Sequence, residues 1–333
     1  MDYYKKRTLT FANSHILEGY TVAGPKENDG RYKGFFDHAL EDDMFGQNTF
    51  ERAERKMFEH AIDGAIAKAN LTSHDIDAVI AGDLLNQIVS ASYAARKQHA
   101  GFVGIYNACA TFVESLIIGS CMLNNGLENV VCSAGSHFST AERQYRYPLE
   151  LGVLRSPVTQ WTATGVGATV LSNKSDIAVP RVTRATIGRV VDYGVMDANN
   201  MGAAMAPSAC DTLVTFFKDT NTSPSDFDVI YTGDLGKLGS DILMDLTRQE
   251  GYDVSAQLHD CGASLYWDEQ QTYQGGSGAA CSALVFNSVL LGRLRRGEYK
   301  RILLAGTGAL MSPTTSFQGD SIPAITHLVE VTA

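Results

Sequence analysis

The sequence predicts an α/β fold of two similar βαβα halves related by a pseudo-twofold axis. Three observations carry this. The run Ile76-Asp77-Ala78-Val79-Ile80-Ala81-Gly82-Asp83-Leu84 is echoed by Phe227-Asp228-Val229-Ile230-Tyr231-Thr232-Gly233-Asp234-Leu235, 151 residues later. A second echo, Gly126 to Val130 running into Ala134-Gly135, recurs as Gly297 to Ile302 running into Ala305-Gly306, 171 residues later. The offsets differ by about 20 residues, as expected if one half carries an insertion. Short apolar runs also alternate with helical patterns, which implies a sheet covered by helices. Two like halves place a cleft between them, so the repeat is the guide to a site.

Taken in order, Arg7 to Asn13 reads as a first strand, and Ala23 to Gly46 as a long polar surface excursion. Asn48 opens a helix with Glu51 as its capping-box partner. Phe50, Ala53, Met57, Ala61 and Ala65 recur at helical spacing, widened by Phe58, Ile62 and Ile66, and the helix stops near Asn70. Asp77 to Ala81 and Phe102 to Tyr106 are buried strands, Cys109 to Asn125 an apolar helix, and Asn129 to Ala134 a further strand. Ser136 to Gln160 breaks this rhythm and reads as an inserted cap over the cleft.

The second half repeats the plan. Strands are predicted at Thr162 to Leu171, Arg181 to Val191, Val229 to Thr232, Arg301 to Ala305 and Ile325 to Val331. Helices are predicted at Met201 to Lys218, with a kink or late start at Pro207, at Lys237 to Glu250 and at Ser277 to Arg296. The halves divide as residues 1–175 and 176–333, with the cap at about 136–160.

At 333 residues the chain is one large duplicated domain or two intimate ones. Its net charge of −10 disfavours nucleic acid as a partner. None of the six cysteines forms a C-x-x-C pair, which argues against a zinc ribbon; free thiols fit a reducing compartment. Met1 to Arg7 leads into a strand-like run rather than a signal peptide. The most apolar stretch, Gly101 to Leu123, is interrupted by Asn107, Glu114 and Ser115 and is not read as a membrane span.

Cys109 is the first candidate for chemistry. It stands at a strand-to-helix elbow, where a helix N-terminus favours thiolate or binds a carboxylate. Cys121, Cys132 and Cys210 read as core residues. Gly275-Gly276-Ser277-Gly278 opens the matching second-half helix, near the dyad mate of Cys109, and its glycines allow a ligand close approach to the backbone. His259-Asp260-Cys261-Gly262 gathers three reactive side chains in one turn, either a His–Cys pair or a polar loop. Gly306-Thr307-Gly308-Ala309 forms a second glycine-rich edge. His327 reads as a satisfied strand histidine. Arg143, Arg146 and Arg155 either hold carboxylates or make ordinary surface pairs.

The duplicated plan with a cysteine elbow resembles the thiolase-like superfamily, whose fold is a five-layer αβαβα arrangement. Within it, several motifs are similar to the stage V sporulation AD family of spore-forming bacteria. These include Ala81-Gly82-Asp83-Leu84-Leu85-Asn86-Gln87, Ser136 to Gln144, Asn200-Met201-Gly202-Ala203-Ala204-Met205-Ala206-Pro207, Thr232-Gly233-Asp234-Leu235-Gly236-Lys237 and Thr307-Gly308-Ala309-Leu310. The resemblance spans nearly the whole chain. It implies binding of dipicolinic acid (pyridine-2,6-dicarboxylate), free or as its calcium chelate. It further implies a part in moving that compound into the developing spore, beside membrane proteins of the same stage V sporulation A operon. The implied location is peripheral to the inner spore membrane.

A condensing enzyme of the ketoacyl synthase III type has a cysteine, a histidine and an asparagine. Here Cys109 matches the first, while the other two positions fall on the Asp260-Cys261-Gly262 segment and on Gly276. His259 is the remaining alternative base. The expected reading is a degenerate, non-catalytic site with no cofactor and no metal, calcium arriving only with the ligand. Its expected ligand contacts are Cys109, Phe112, Val113, Asp260, Cys261, Gly276, Ser277 and Thr307, with Phe112 and Val113 walling the aromatic ring. The rival is acyl transfer from acyl-CoA through Cys109. Pairing through a sheet edge, as thiolase-like folds do, makes a homodimer the expected assembly.

Overall fold

The computed structural model describes residues 5–145, 154–175 and 177–333. Fourteen strands are described: β1 (Thr8–Thr10), β2 (His15–Ala23), β3 (His38–Ala39), β4 (Ala78–Gly82), β5 (Gly101–Gly104), β6 (Asn129–Ser136), β7 (Trp161–Thr162), β8 (Gly165–Ser172), β9 (Arg181–Thr186), β10 (Val229–Thr232), β11 (Leu258–Asp260), β12 (Gly276–Ser277), β13 (Arg301–Ala309) and β14 (Ala324–Thr332). The helices are α1 (Pro25–Asn28), α2 (Phe50–Lys68), α3 (Val89–Ala95), α4 (Thr111–Leu123), α5 (Phe138–Tyr145), α6 (Met201–Thr220), α7 (Gly236–Gln249), α8 (Cys261–Leu265), α9 (Ala279–Val285), α10 (Leu291–Arg295) and α11 (Pro313–Gln318).

The main sheet runs β11-β10-β13-β14-β9-β2-β8-β6-β4-β5. Reading outward from the β2–β9 seam, each half gives the same sequence of pairings: two antiparallel, then two parallel. The halves therefore correspond strand for strand. The seam itself is one register pair, His15 with Arg181.

Five layers result. Helices α2 and α3 cover the outer face of the first half-sheet, and α6 and α7 that of the second. Between the half-sheets lie α4 and α9, which touch each other; α4 packs on strands of both halves. Buried side chains on nearly every face of α4, from Thr111 and Phe112 to Leu116 and Leu123, follow from this central position.

Register and helix starts account for the two offsets. β4 and β10 are 151 residues apart, while α4 and α9 begin 168 apart. Five of the extra residues precede β11, where α7 is longer than α3, and the rest lie in the stretch that carries α8, the short helix at Asp268–Gln270 and β12. A π-turn at Phe286–Leu290 then lengthens the second central helix, and sheet register sets Val130 against Ile302, 172 apart. The register offset is thus one residue more than the 171 read from the sequence.

Several expectations shift. β2, the strand at the seam, is absent from the sequence reading. The α2 cap is Thr49, whose hydroxyl accepts from the Arg52 N–H at 3.3 Å, rather than Asn48. Thr162 to Leu171 splits into β7, which pairs with β12, and β8 in the main sheet. β9 ends at Thr186, short of Val191. Helix α6 passes through Pro207 from a start at Met201, capped by Asn200.

Candidate functional site

The elbow before α4 is a strained turn. Ala108 sits at φ 51°, a left-handed conformation that a side chain disfavours. Three hydrogen bonds pin it: Thr111 Oγ1 donates to the Ala108 carbonyl at 2.7 Å, the Ala110 N–H donates to the Asn107 carbonyl at 3.0 Å, and the Asn107 N–H donates to Thr111 Oγ1 at 3.1 Å. Gly308 of β13 lies against the turn; a Cβ there would stand 2.3 Å from the Asn107 carbonyl oxygen. The second half thus needs glycine at this point for the first half to present Cys109.

Cys109 lines a narrow cavity of about 30 Å³. Ser277 lines it too, and the 168-residue offset between helix starts makes Ser277 the counterpart of Cys109. Tyr106, Tyr145 and Thr162 add hydroxyls, and Leu84, Met201, Ala309 and Met311 add apolar surface. The Tyr106 and Tyr145 hydroxyls are 3.1 Å apart, and Tyr145 also donates to the Leu84 carbonyl at 2.8 Å. Burial raises both phenol pKa values. A hollow of about 620 Å³ adjoins, sharing Tyr106, Tyr145 and Met311.

Behind Cys109 stands Asp234, fully buried. Its Oδ2 accepts the Gly278 N–H at 2.9 Å, and its Oδ1 accepts the Thr307 hydroxyl at 2.8 Å. Gln160 Nε2 donates to the Asp234 carbonyl at 2.6 Å. Burial pushes the carboxyl up to about 6 against the pull of these donors. Thr307, expected at the ligand, thus serves Asp234 instead.

Other expected contacts lie elsewhere. Asp260 is the N-cap of α8; its carboxylate accepts from the Ala263, Leu235 and Gly236 N–H groups and from the Thr232 hydroxyl, at 2.7 to 3.1 Å. Cys261, the next residue, is wholly buried. Phe112 is in the central core, 5.7 Å from Phe286, and Val113 packs under Gly306; neither walls the cavity. Gly276 lies in β12, its carbonyl held by Gln160 at 2.8 Å. His259 is exposed and stacks on Tyr231, away from the cavity lining. Among the described residues, no histidine lines the cavity.

His327 is a satisfied strand histidine. The Gly188 N–H donates to its Nδ1 at 3.2 Å, and its Nε2 stands 3.2 Å from the Asn107 amide nitrogen. Burial holds it down to about 4. Arg143 pairs with Glu51 at 2.8 Å on the surface. Arg155 pairs with the buried Glu142 at 3.5 Å and lies over Trp161. Arg146 lies outside the described residues. The sequence reading missed Asp234, Tyr106, Tyr145 and Thr162 as site residues. Only Asp234 left a signal, as the acidic member of the repeated Gly-Asp-Leu.

A duplicated five-layer α/β scaffold with a cysteine elbow at its centre defines the class: a thiolase-like protein. Solved structures share the scaffold. OleA of Xanthomonas campestris superposes with a TM-score of 0.61 at 17% identity, covering 98% of this chain and 99% of that one. A cysteine-substituted OleA with bound lauric acid and lauroyl-CoA gives 0.61 at 16% identity, covering 97% and 100%. A tetronic acid condensing enzyme gives 0.58 at 14%, covering 96% and 100%. At such identities the likeness is one of fold. A sequence profile of stage V sporulation protein AD matches residues 5–332. Stage V sporulation protein AD of Bacillus subtilis (strain 168) is 43% identical over 325 residues, 97% of this chain and 95% of that protein. The chain belongs to the stage V sporulation protein AD family, and its role lies in sporulation.

Proposed function

We propose that this chain is a non-catalytic binding protein that takes up dipicolinic acid and supports its delivery into the developing spore. The observation that carries this reading is the cavity between Cys109 and Ser277. It keeps the sulfur and the hollow of a condensing enzyme while lacking an imidazole among its described lining residues. Condensation needs a base and donors for the developing oxyanion. Asp260 and Cys261, the segment expected to replace that imidazole, are enclosed by their own helix cap and core.

A flat ring with two carboxyl groups suits a narrow cavity edged with hydroxyls. Tyr106 and Ser277 donate to the carboxylate oxygens, and the Leu84, Met201 and Met311 surface covers the ring. No Lys or Arg stands among the described lining residues, so a dianion enters at lower cost as its neutral calcium chelate. The calcium then travels with the ligand and needs no protein cage. The chain works peripherally at the inner spore membrane with membrane-embedded partners of its operon; among the described residues no helix is long and apolar enough to cross a bilayer. It pairs as a homodimer along the exposed edge strand β5, where Phe102 faces solvent.

Calorimetric titration with dipicolinate, with and without Ca²⁺, tests the reading. Heat of binding is expected at micromolar to millimolar ligand, larger with Ca²⁺; its absence at millimolar ligand removes the claim. The elbow cysteine in the cavity wall supports a second reading, acyl transfer through Cys109. Intact-mass measurement after incubation with acyl-CoA decides it: a stable mass gain abolished by Cys109→Ser favours the enzyme.

A further inference from the structure

We propose that the outer face of α2 and α3, centred on Tyr93 between Arg55 and Arg96, is the surface by which this chain lies on an anionic lipid bilayer. This deepens, and rests on, the peripheral placement at a membrane.

The pseudo-twofold supplies the first observation. α2 and α3 cover one half-sheet as α6 and α7 cover the other, yet the two faces differ in sign. α2, α3 and the Arg96-Lys97 pair that follows carry six Lys and Arg against four Asp and Glu, and one of those four, Glu54, is buried. α6, α7 and the adjoining Glu250 carry three against five. On a chain of net charge −10 the first face is a cationic island. Such a division turns that face toward an anionic surface and the other away from it.

The pairing of these charges is the second observation. The three α2 carboxylates outside the core are already engaged: Glu51 with Arg143 at 2.8 Å, Glu59 with Lys97, and Asp63 as acceptor of the Gln98 side-chain amide at 2.7 Å. Among the described residues, Arg52, Arg55 and Arg96 form no ion pair. Arg55 and Arg96 converge instead on one ring, their guanidinium carbons 4.9 and 5.0 Å from the Tyr93 centroid. Tyr93 is 43% exposed. Two like charges held at one exposed phenol leave their outward N–H groups for an external anion. An aromatic ring with a polar tip, flanked by long cationic side chains, is the composition of a membrane–water interface: the ring settles among headgroups while the guanidiniums meet phosphates.

Flotation of the intact chain with vesicles, without dipicolinate, tests this. Partition is expected into vesicles of equal parts phosphatidylglycerol and phosphatidylcholine, not into phosphatidylcholine alone, and is expected to fall as salt rises. Each cation at an anionic surface is worth about fivefold, so Arg55→Gln with Arg96→Gln is expected to weaken partition about 25-fold. Arg55→Lys with Arg96→Lys keeps the charge and retains most of it. Lys218→Gln with Lys237→Gln removes the same charge from the opposite face and leaves it unchanged. Urea denaturation confirms folding; should the Gln pair unfold, the Lys pair and the salt dependence decide. No partition into the anionic vesicles overturns the proposal and leaves the face to an acidic protein partner. Equal partition of the folded Gln pair and the parent, or an equal loss in the α6–α7 variant, overturns it as well. Failure on vesicles leaves a membrane placement through protein partners standing, whereas spore fractionation that finds the chain away from the membrane removes that placement whatever the vesicles show.

Discussion

His15 and Arg181 face each other in register at the seam between β2 and β9, and each is the other's counterpart under the pseudo-twofold. The registers prove the correspondence. Ile16 pairs with Leu171 and Glu18 with Val170; Val182 pairs with Val331 and Arg184 with Glu330. Leu17 and Thr183 are skipped in turn, so both halves carry a β-bulge at one equivalent position. Burial and the Arg181 guanidinium lower the His15 pKa.

The seam gives the first prediction. Arg181→Ala removes one of the two causes that lower the His15 pKa. The His15 imidazole titration, followed by proton NMR, is expected to move upward. An unchanged midpoint would mean that burial alone sets it.

Gly308→Ala tests whether the second half holds the elbow. The added methyl would meet the Asn107 carbonyl oxygen, so backbone must move. A loss of about 1–3 kcal/mol is expected in chemical denaturation, together with weaker dipicolinate binding in the folded fraction. Full affinity in the variant would show that the elbow tolerates displacement.

Core and cavity residues separate by their effects. Phe112→Ala is expected to cost about 3–5 kcal/mol of stability, since its ring fills the central core. Tyr106→Phe is expected to leave stability nearly unchanged and to weaken dipicolinate about fivefold, the worth of one hydroxyl near 1 kcal/mol. Calorimetry and urea denaturation on both variants check this; the reverse pattern would return Phe112 to the ligand wall.

Stability should fall as pH rises toward neutrality. Burial pushes the Glu27 carboxyl up to about 7, although the Tyr266 hydroxyl donates to it. A raised carboxyl pKa means the native state holds a proton the unfolded chain has released. Its contribution is complete below about pH 4.5 and disappears as pH passes through 7. Between pH 5 and pH 8, Glu27→Gln should therefore lose less stability than the parent, by about 3 kcal/mol in denaturant titrations. Equal losses in the two proteins would count against a neutral native Glu27.

Much of the fold was legible because its signals are local. The α2 stripe and the paired Gly-Asp-Leu turns each depend on a few neighbours in sequence. β2 escaped notice for an equally physical reason. The bulge at Leu17 breaks the alternation of a strand, and Glu18 and Gly19 dilute its apolar content. At the site, Cys109 and Ser277 stood out because they lie at turns into helices. Phe112 was misplaced because an apolar residue one turn into a fully buried helix has no sequence mark for which face meets the cavity. The role of Asp234 depends on Asp260 taking the N–H groups of another turn, a substitution made in space and invisible along the chain.

The shared kink at Leu17 and Thr183 carries a history. An irregularity repeated at one equivalent point was present before the chain doubled. A forebear of half this length would have set its first strand against that of a second copy, and the residue at the crossing would have met itself. Like charges are excluded in such a place. Only after both copies lay in one gene could a guanidinium there confront a neutral ring. The same freedom let a sulfur face a hydroxyl across the central chamber, giving a lopsided pocket where symmetry would have dictated two matching walls.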